Sequence, residues 1–332
     1  MIASDRMHAV AFDPASRRYI PVEALIPRPE GRDLLVAVSA ASINPVDRKS
    51  WDRLPKDAPP TVLGYDACGT VLEAGPEASG FAPGDRVWYA GDATRAGSNA
   101  THQLVDCRIV ARAPSTLDDA DAAALPLTAI TAWEALFDRL GYAPLSEEPQ
   151  KDRLLVINGA GGVGSILLQL ARLSGIHATA TASRPESRDW CLRMGAAEVV
   201  PHDALAEMPA DGFGRILCAY DTDGYFDTMA RLVAPQGRIV SIVGTAKPHD
   251  LAPLFQKSAS FGWEFMFTRP ARRTDDMHRQ GEILAEVARL YEADKLLPTR
   301  TRTLEGLSVA TIEAAHARLS DGRQIGKVVM KW

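Results

Sequence analysis

The sequence predicts an α/β chain in which a β-rich segment precedes a doubly wound parallel sheet. Three observations carry that prediction. Up to about residue 120, short β-branched and apolar runs alternate with turn clusters. Beyond it, apolar runs of strand length alternate with amphipathic stretches of about ten residues, the pattern of βαβ units. The first of those units contains the elbow Gly159-x-Gly161-x-x-Gly164.

In the first segment the candidate strands are 33–43, 69–75, 86–91 and 104–114, rich in Val, Ile, Leu and Tyr. Gly75-Pro76 and Pro83-Gly84-Asp85 lie between them, as tight turns require. A small β-barrel or strongly bent sheets fit this rhythm. A helix is expected over 119–140. There follow a strand at 154–158, a helix from 162, a strand at 176–182, a helix from 186 and a strand at 198–200. The second set comprises a strand at 216–220, a helix at 225–233, a strand at 238–243 and an apolar run at 260–267. Two helices, near 280–293 and 309–319, precede a last strand at 325–330. No internal repeat and no long linker interrupts the chain.

The glycine elbow follows a strand and opens a helix whose Val163, Ile166, Leu167, Leu170 and Ala171 form one apolar stripe. The first glycine permits a tight turn, the second admits a pyrophosphate close to the backbone, and the third lets helix and strand pack closely. Gly162 and Val163 lie inside the elbow, where the first N–H groups and the helix dipole face an anion. This is the pattern of a dinucleotide site. A carboxylate about twenty residues further on would select NAD(H). The chain has Ser183 and Arg184 there, with Arg188 one turn later. A hydroxyl and guanidinium groups suit a 2′-phosphate dianion, so NADP(H) is the expected cofactor. Glu186 and Asp189 read as a solvated helix start.

The net charge of -5 and the lack of a long basic run speak against nucleic acid and against an acidic membrane surface as partners. No apolar run approaches the length of a membrane span, and the first thirty residues do not read as a signal peptide. Cys68, Cys107, Cys191 and Cys218 are scattered without C-x-x-C spacing, so reduced thiols and a cytoplasmic location are expected.

Ala40-Ala41-Ser42-Ile43-Asn44-Pro45-Val46-Asp47, Leu63-Gly64-Tyr65-Asp66-Ala67-Cys68-Gly69-Thr70-Val71 and Pro83-Gly84-Asp85-Arg86-Val87 occur in that order. Together with Ala160-Gly161-Gly162-Val163-Gly164 they resemble the medium-chain dehydrogenase/reductase superfamily. The resemblance spans nearly the whole chain. Within the superfamily it points to the zinc-free, quinone oxidoreductase-like branch, often labelled zinc-type alcohol dehydrogenase-like. It implies a GroES-like β-barrel catalytic domain from residues 1–125 and 270–332, a Rossmann domain at 126–269, and an active site in the cleft.

By the same resemblance, the catalytic zinc ligands of alcohol dehydrogenases are matched by Asn44, Tyr65 and Leu127, none of them a thiolate or imidazole. Val46 matches the proton-relay hydroxyl, and only Cys107 falls in the lobe that would hold a structural zinc. No metal is expected. Without a Lewis acid to stabilise an alkoxide, an acceptor that is already electrophilic is the easier substrate. The expected reaction is NADPH-dependent reduction of a quinone or an α,β-unsaturated carbonyl.

Tyr65 is the candidate for polarising the carbonyl or delivering a proton, and Asn44 for orienting the nicotinamide or a substrate oxygen. The competing readings are a packed wall for Tyr65 and a turn-former before Pro45 for Asn44, and solvent could protonate the product instead. Asp47 and Lys49 are expected to form an ion pair framing the pocket. The resemblance places Thr131 near the nicotinamide ribose, Ile242, Val243 and Gly244 beside the nicotinamide, and His202 at the adenosine phosphate. For His202 a capping role competes. Trp133, Ala132 and Leu136 read as core. Relatives pair their last Rossmann strand across a twofold axis, so residues 258–267, with Trp263, Phe265 and Phe267 alternating, suggest a homodimer; burial under the C-terminal helices is the competing explanation. Two other functions stay open: an NADPH-binding structural or redox-sensing protein, and a zinc-dependent alcohol dehydrogenase with rearranged ligands.

Overall fold

The computed structural model describes residues 5–52, 54–146 and 148–332. The N-terminal segment begins with a hairpin, β1 (Arg6–Asp13) and β2 (Arg18–Leu25), followed by β3 (Asp33–Ser42) and the short helix α1 (Pro45–Trp51). Next come β4 (Thr61–Val62), β5 (Asp66–Ala74), β6 (Arg86–Tyr89), β7 (His102–Asp106) and β8 (Val110–Arg112), then helices α2 (Asp119–Ala123) and α3 (Pro126–Trp133). The middle segment alternates β9 (Leu154–Ile157), α4 (Gly162–Leu173), β10 (Ala178–Thr181), α5 (Pro185–Arg193), β11 (Glu198–Val200), β12 (Phe213–Cys218), α6 (Thr222–Leu232) and β13 (Val233–Ser241). It closes with α7 (Ala252–Gln256) and β14 (Ser260–Trp263). The C-terminal segment holds α8 (Thr268–Arg272), α9 (Arg279–Glu292), β15 (Arg300–Glu305), α10 (Val309–Ser320) and β16 (Lys327–Lys331).

Two compact units result. One takes the residues up to Leu127 together with Phe267–Trp332, and the other Thr128–Met266. In the first, a three-stranded sheet runs β2-β1-β4, and a seven-stranded sheet runs β15-β16-β3-β5-β6-β8 with β7 also on β3. β3 is the spine of the larger sheet, paired antiparallel with β5, β7 and β16. Its Leu34, Val36 and Val38 pack with Val71, Val87 and Tyr89. β16 brings Val328 and Met330 into a second cluster with Val10, Phe12 and Ile312. That pairing ties the last strand of the chain to residues 40–42 of the third.

The second unit is a parallel six-stranded sheet of order β11-β10-β9-β12-β13-β14. Chain order reverses between β9 and β12, and such a switch point leaves a crevice beyond the strand C-termini. β9 is buried at all four positions, as a central parallel strand requires.

Several elements differ from the sequence expectation. The helix expected over 119–140 is three pieces: α2, α3 and a π-helical turn at Glu134–Arg139. Pro126 lacks an N–H and restricts the residue before it, which breaks the helix at Ala124 and Leu125. The strand expected at 104–114 is interrupted by a 3-10 turn at Cys107–Ile109, capped by Asp106. β13 starts at Val233, earlier than periodicity suggested. The apolar run at 260–267 is strand only as far as Trp263. Its alternation does not define one edge face, because Phe267 is buried in the first unit whereas Trp263 and Phe265 are each 43% exposed. All four cysteines are free and buried. Among the described residues, no helix is long and apolar enough to cross a membrane.

Candidate active site

The polar residues of the first unit converge where β3 ends, β5 begins and β16 runs alongside. Asn44 caps α1 in an extended conformation, with Pro45 as the first helical residue. Asp47, three residues on, accepts the Asn44 N–H at 2.6 Å and donates its own N–H to the Asn44 carbonyl at 3.0 Å. The Asn44 side chain turns the other way. Its Nδ2 donates to Asp66 Oδ2 at 2.7 Å, and its Oδ1 accepts from Lys327 Nζ.

Asp66 gathers four donors. Ser42 Oγ at 2.6 Å, Asn44 Nδ2 and Lys327 Nζ at 3.1 Å reach Oδ2, and the Leu127 N–H reaches Oδ1 at 2.6 Å. Lys327 spends its third hydrogen on the Ile43 carbonyl at 3.2 Å. Asp66 is fully buried and Lys327 nearly so, so each charge depends on the other for compensation. Asp47 is also fully buried and its Oδ1 has no partner. Burial pushes its carboxyl up to about 7, against the pull of the Asn44 N–H and the Lys327 charge. The cation whose field reaches Asp47 is thus Lys327. Lys49 lies on the exposed side of α1.

Tyr65 follows Gly64, whose φ of +96° and closeness to Ser98 and Asn99 leave no room for a side chain. The Tyr65 ring packs on Phe267 at 4.5 Å between centroids, and its hydroxyl lies 2.8 Å from Ser50 Oγ. Ser50 Oγ donates its only hydrogen to the Val46 carbonyl at 3.0 Å, so Tyr65 is the donor in the pair.

In the second unit the expected cofactor residues cluster at strand C-termini. The elbow follows β9, with Asn158 at a φ of 71°. A Cβ on Gly159 would lie 2.6 Å from the Ala180 Cβ, and one on Gly164 would strike the Gly159 backbone. The elbow therefore brings α4 against β9 as a dinucleotide turn requires, and α4 has Gly161 as its N-cap with no side-chain cap bond. Ser183 and Arg184 follow β10, exposed and half-buried respectively, and Arg188 is half-buried on α5. His202 follows β11. Its N–H donates to Ser183 Oγ at 3.2 Å, and its Nδ1 lies 2.7 Å from the Tyr225 hydroxyl. Burial lowers its pKa, partly offset by Asp203. Thr181 Oγ1, 3.4 Å from His202 Nε2, accepts the Asn158 N–H at 2.8 Å, which links the elbow to β11. Ile242, Val243 and Gly244 follow β13, and the Val243 carbonyl accepts from Thr222 Oγ1 at 2.5 Å. A Cβ on Gly244 would meet nothing, so its backbone is open to a ligand. Thr131 is buried on α3 rather than at a strand end.

The structure thus gathers the elbow, Ser183, Arg184, His202 and the 242–244 turn at one end of one sheet. It joins Asn44 to Asp66 and Lys327, and Tyr65 to Ser50. Sequence reasoning missed Asp66, Lys327, Ser42 and Ser50. The one available signal for Lys327 was a lone charge inside the apolar run Ile325 to Met330.

A seven-stranded antiparallel-rich unit with an inserted 3-2-1-4-5-6 parallel sheet defines a dehydrogenase architecture. Residues 30–114 match the alcohol dehydrogenase GroES-like domain family, and residues 194–330 the zinc-binding dehydrogenase family. A zinc-type alcohol dehydrogenase-like protein of Staphylococcus aureus is 44% identical over 309 residues, covering 92% of each chain. The crystal structure of a Rhizobium etli protein assigned to the zinc-dependent alcohol dehydrogenases superposes with a TM-score of 0.91 at 40% identity, covering 98% of each chain. The 2-methylene-furan-3-one reductase of Solanum lycopersicum is 30% identical over 311 residues, covering 90% of this chain and 71% of the relative. The chain belongs to the medium-chain dehydrogenase/reductase superfamily, and it is an oxidoreductase of that family.

Proposed function

We propose that the protein reduces an activated acceptor, a quinone or an α,β-unsaturated carbonyl, with NADPH and without a metal. The observation that carries this reading is the bond between Asn44 and Lys327. At the position where the superfamily's alcohol dehydrogenases place a zinc thiolate stands an amide whose oxygen is held by an ammonium group. That fixed positive charge, with Tyr65 and Leu127 at the other two ligand positions, is a poor setting for a divalent cation. The tomato relative's name describes an enone reductase, which supports the acceptor class.

The residues present fit NADP(H): a glycine elbow that a Cβ would obstruct, and Ser183, Arg184 and Arg188 beyond the second strand. When bound, the cofactor supplies the hydride. Ser183 and the two guanidinium groups bind the 2′-phosphate, His202 borders it, and residues 242–244 with Thr131 line the nicotinamide end. Tyr65 stabilises the carbonyl oxygen that gains charge as hydride arrives at the acceptor. Ser50 Oγ accepts the phenol proton while no acceptor is bound, and rotation about the Tyr65 C–O bond transfers that hydrogen bond from Ser50 to the substrate carbonyl. Asn44 keeps one Nδ2 hydrogen beyond the one given to Asp66, available to a substrate or nicotinamide oxygen. We also assign the β14 edge, with exposed Trp263 and, just beyond the strand, exposed Phe265, to a homodimer contact, and a cytoplasmic setting in keeping with four free thiols.

Stopped-flow absorbance of NADPH mixed with quinones, enones, aldehydes and alcohols tests the assignment, with NADH in parallel. Rapid oxidation by quinones or enones alone is expected. Stoichiometric zinc in the purified protein, or turnover confined to alcohols, would overturn it. Unchanged hydride-transfer rates in both Tyr65→Phe and Asn44→Ala would remove those two residues from the mechanism.

A further inference from the structure

α1 turns Asp47 toward Asn44 and Ser50 toward Tyr65, and presents Arg48 and Trp51 to a different hollow in the same unit. This hollow has a volume of about 250 Å³ and is walled by Phe12, Tyr19, Trp51 and His316. It has room for on the order of eight waters. The rings form one connected aromatic surface. Phe12 and Trp51 stack at 4.9 Å with planes 9° apart, Tyr19 meets Trp51 edge-on at 5.5 Å, and His316 stacks on Tyr19 at 5.6 Å.

The hydrogen bonds fix which atom carries the histidine proton. Trp51 Nε1 can only donate, and it does so to the Tyr19 hydroxyl at 3.1 Å. The single Tyr19 hydrogen is then left for His316 Nε2, 2.7 Å away. Burial, and after it Arg48, lower the His316 pKa to about 4, so the ring is neutral and its proton lies on Nδ1. His316 is 4% exposed, and that Nδ1 is buried with no partner. A native fold rarely leaves a buried donor unsatisfied, and each case calls for an explanation.

The charges around the hollow are unbalanced. Arg17, Arg18 and Arg48 line it against the single carboxylate of Glu313. Arg17 pairs with Asp52 at 3.1 Å. Arg48 donates to Ser320 Oγ at 2.6 Å and lies over the Trp51 ring, and neither it nor Arg18 has a carboxylate partner among the described residues. Aromatic walls and excess guanidinium call for a flat apolar body with an anionic end.

We propose that this hollow binds a small aryl carboxylate, its ring against the Tyr19–Trp51 wall and its carboxylate toward Arg18 and Arg48. The site uses none of the residues assigned to the reductase chemistry, so it stands or falls apart from that assignment.

Isothermal titration of the full chain with benzoate tests it, with benzylamine and acetate as controls. Saturable one-to-one benzoate binding is expected, with acetate and benzylamine at least tenfold weaker. The double variant Arg18→Ala/Arg48→Ala, changed only at exposed positions and checked by thermal melt, is expected to lose at least tenfold in affinity. Tyr65→Phe is expected to bind benzoate as the parent does. No saturable binding, equal binding of benzylamine, unchanged affinity in the double variant, or loss of binding in Tyr65→Phe would each overturn the proposal.

Discussion

Asp66 and Lys327 meet at 3.1 Å in the interior of the first unit although 261 positions separate them in the chain. Neither charge reaches solvent, and Asn44 is clamped between them. Removing one member leaves a buried charge without compensation, which typically costs about 3–5 kcal/mol. Lys327→Met is therefore expected to unfold at markedly lower denaturant concentration than the parent. The double variant Asp66→Asn/Lys327→Met should recover much of that loss, as chemical denaturation of the three proteins would show.

Asp47 sets a pH dependence. Its folded pKa of about 7 lies above the value near 4 of an unfolded aspartate. Between those values the folded chain holds a proton that the unfolded chain has released. The associated stability is full below about pH 4 and declines as pH rises to about 7. Denaturation curves from pH 4 to 8 should show this fall, and Asp47→Asn should flatten it, because the amide oxygen can still accept the Asn44 N–H.

Cofactor choice is expected to reside in Arg184 and Arg188. Each charge-assisted bond to a phosphate contributes about 1.5–3 kcal/mol. Replacing either with Ala should raise the KM for NADPH roughly ten- to hundredfold, with the KM for NADH nearly unchanged. Equal effects on both cofactors would detach these residues from the 2′-phosphate.

Gly164 allows no side chain. Its added Cβ would meet the Gly159 backbone, which cannot yield as a flexible side chain would. Gly164→Ala should lower stability by about 1–3 kcal/mol and weaken cofactor binding together with it. Urea melts and NADPH fluorescence titration measure the two effects on the same samples.

The β14 edge gives a prediction about assembly. Trp263→Lys/Phe265→Lys, two exposed changes, should convert a dimer into a monomer in light scattering without loss of secondary structure. A parent protein that is monomeric at micromolar concentration would remove the dimer assignment.

Much of the second unit was legible in the sequence because its signals are local. The glycine elbow, the apolar stripe of α4 and the Ser183-Arg184 pair each lie within a few residues of the structure they specify. Breaks were harder to read: periodicity ran through Pro126, and only its missing N–H and steric restriction divide that helix. α1 carried a readable start, Asn44 before Pro45 with Asp47 at the third helical position, yet at seven residues it is too short for periodicity to register. The polar cluster around Asp66 was illegible for another reason. Ser42, Asp66 and Lys327 lie on β3, β5 and β16 and Asn44 caps α1, and only sheet pairing across the whole chain makes them neighbours.

That pairing also orders events during synthesis. A ribosome completes residues 128–266, a parallel sheet whose strands need nothing from either flank, before it adds Lys327. Until β16 emerges, Asp66 has no ammonium partner and residues 40–42 of β3 are paired only on the β5 side. The nascent β-rich half must therefore wait, incompletely stitched, while the inserted nucleotide domain matures ahead of the scaffold that surrounds it in sequence.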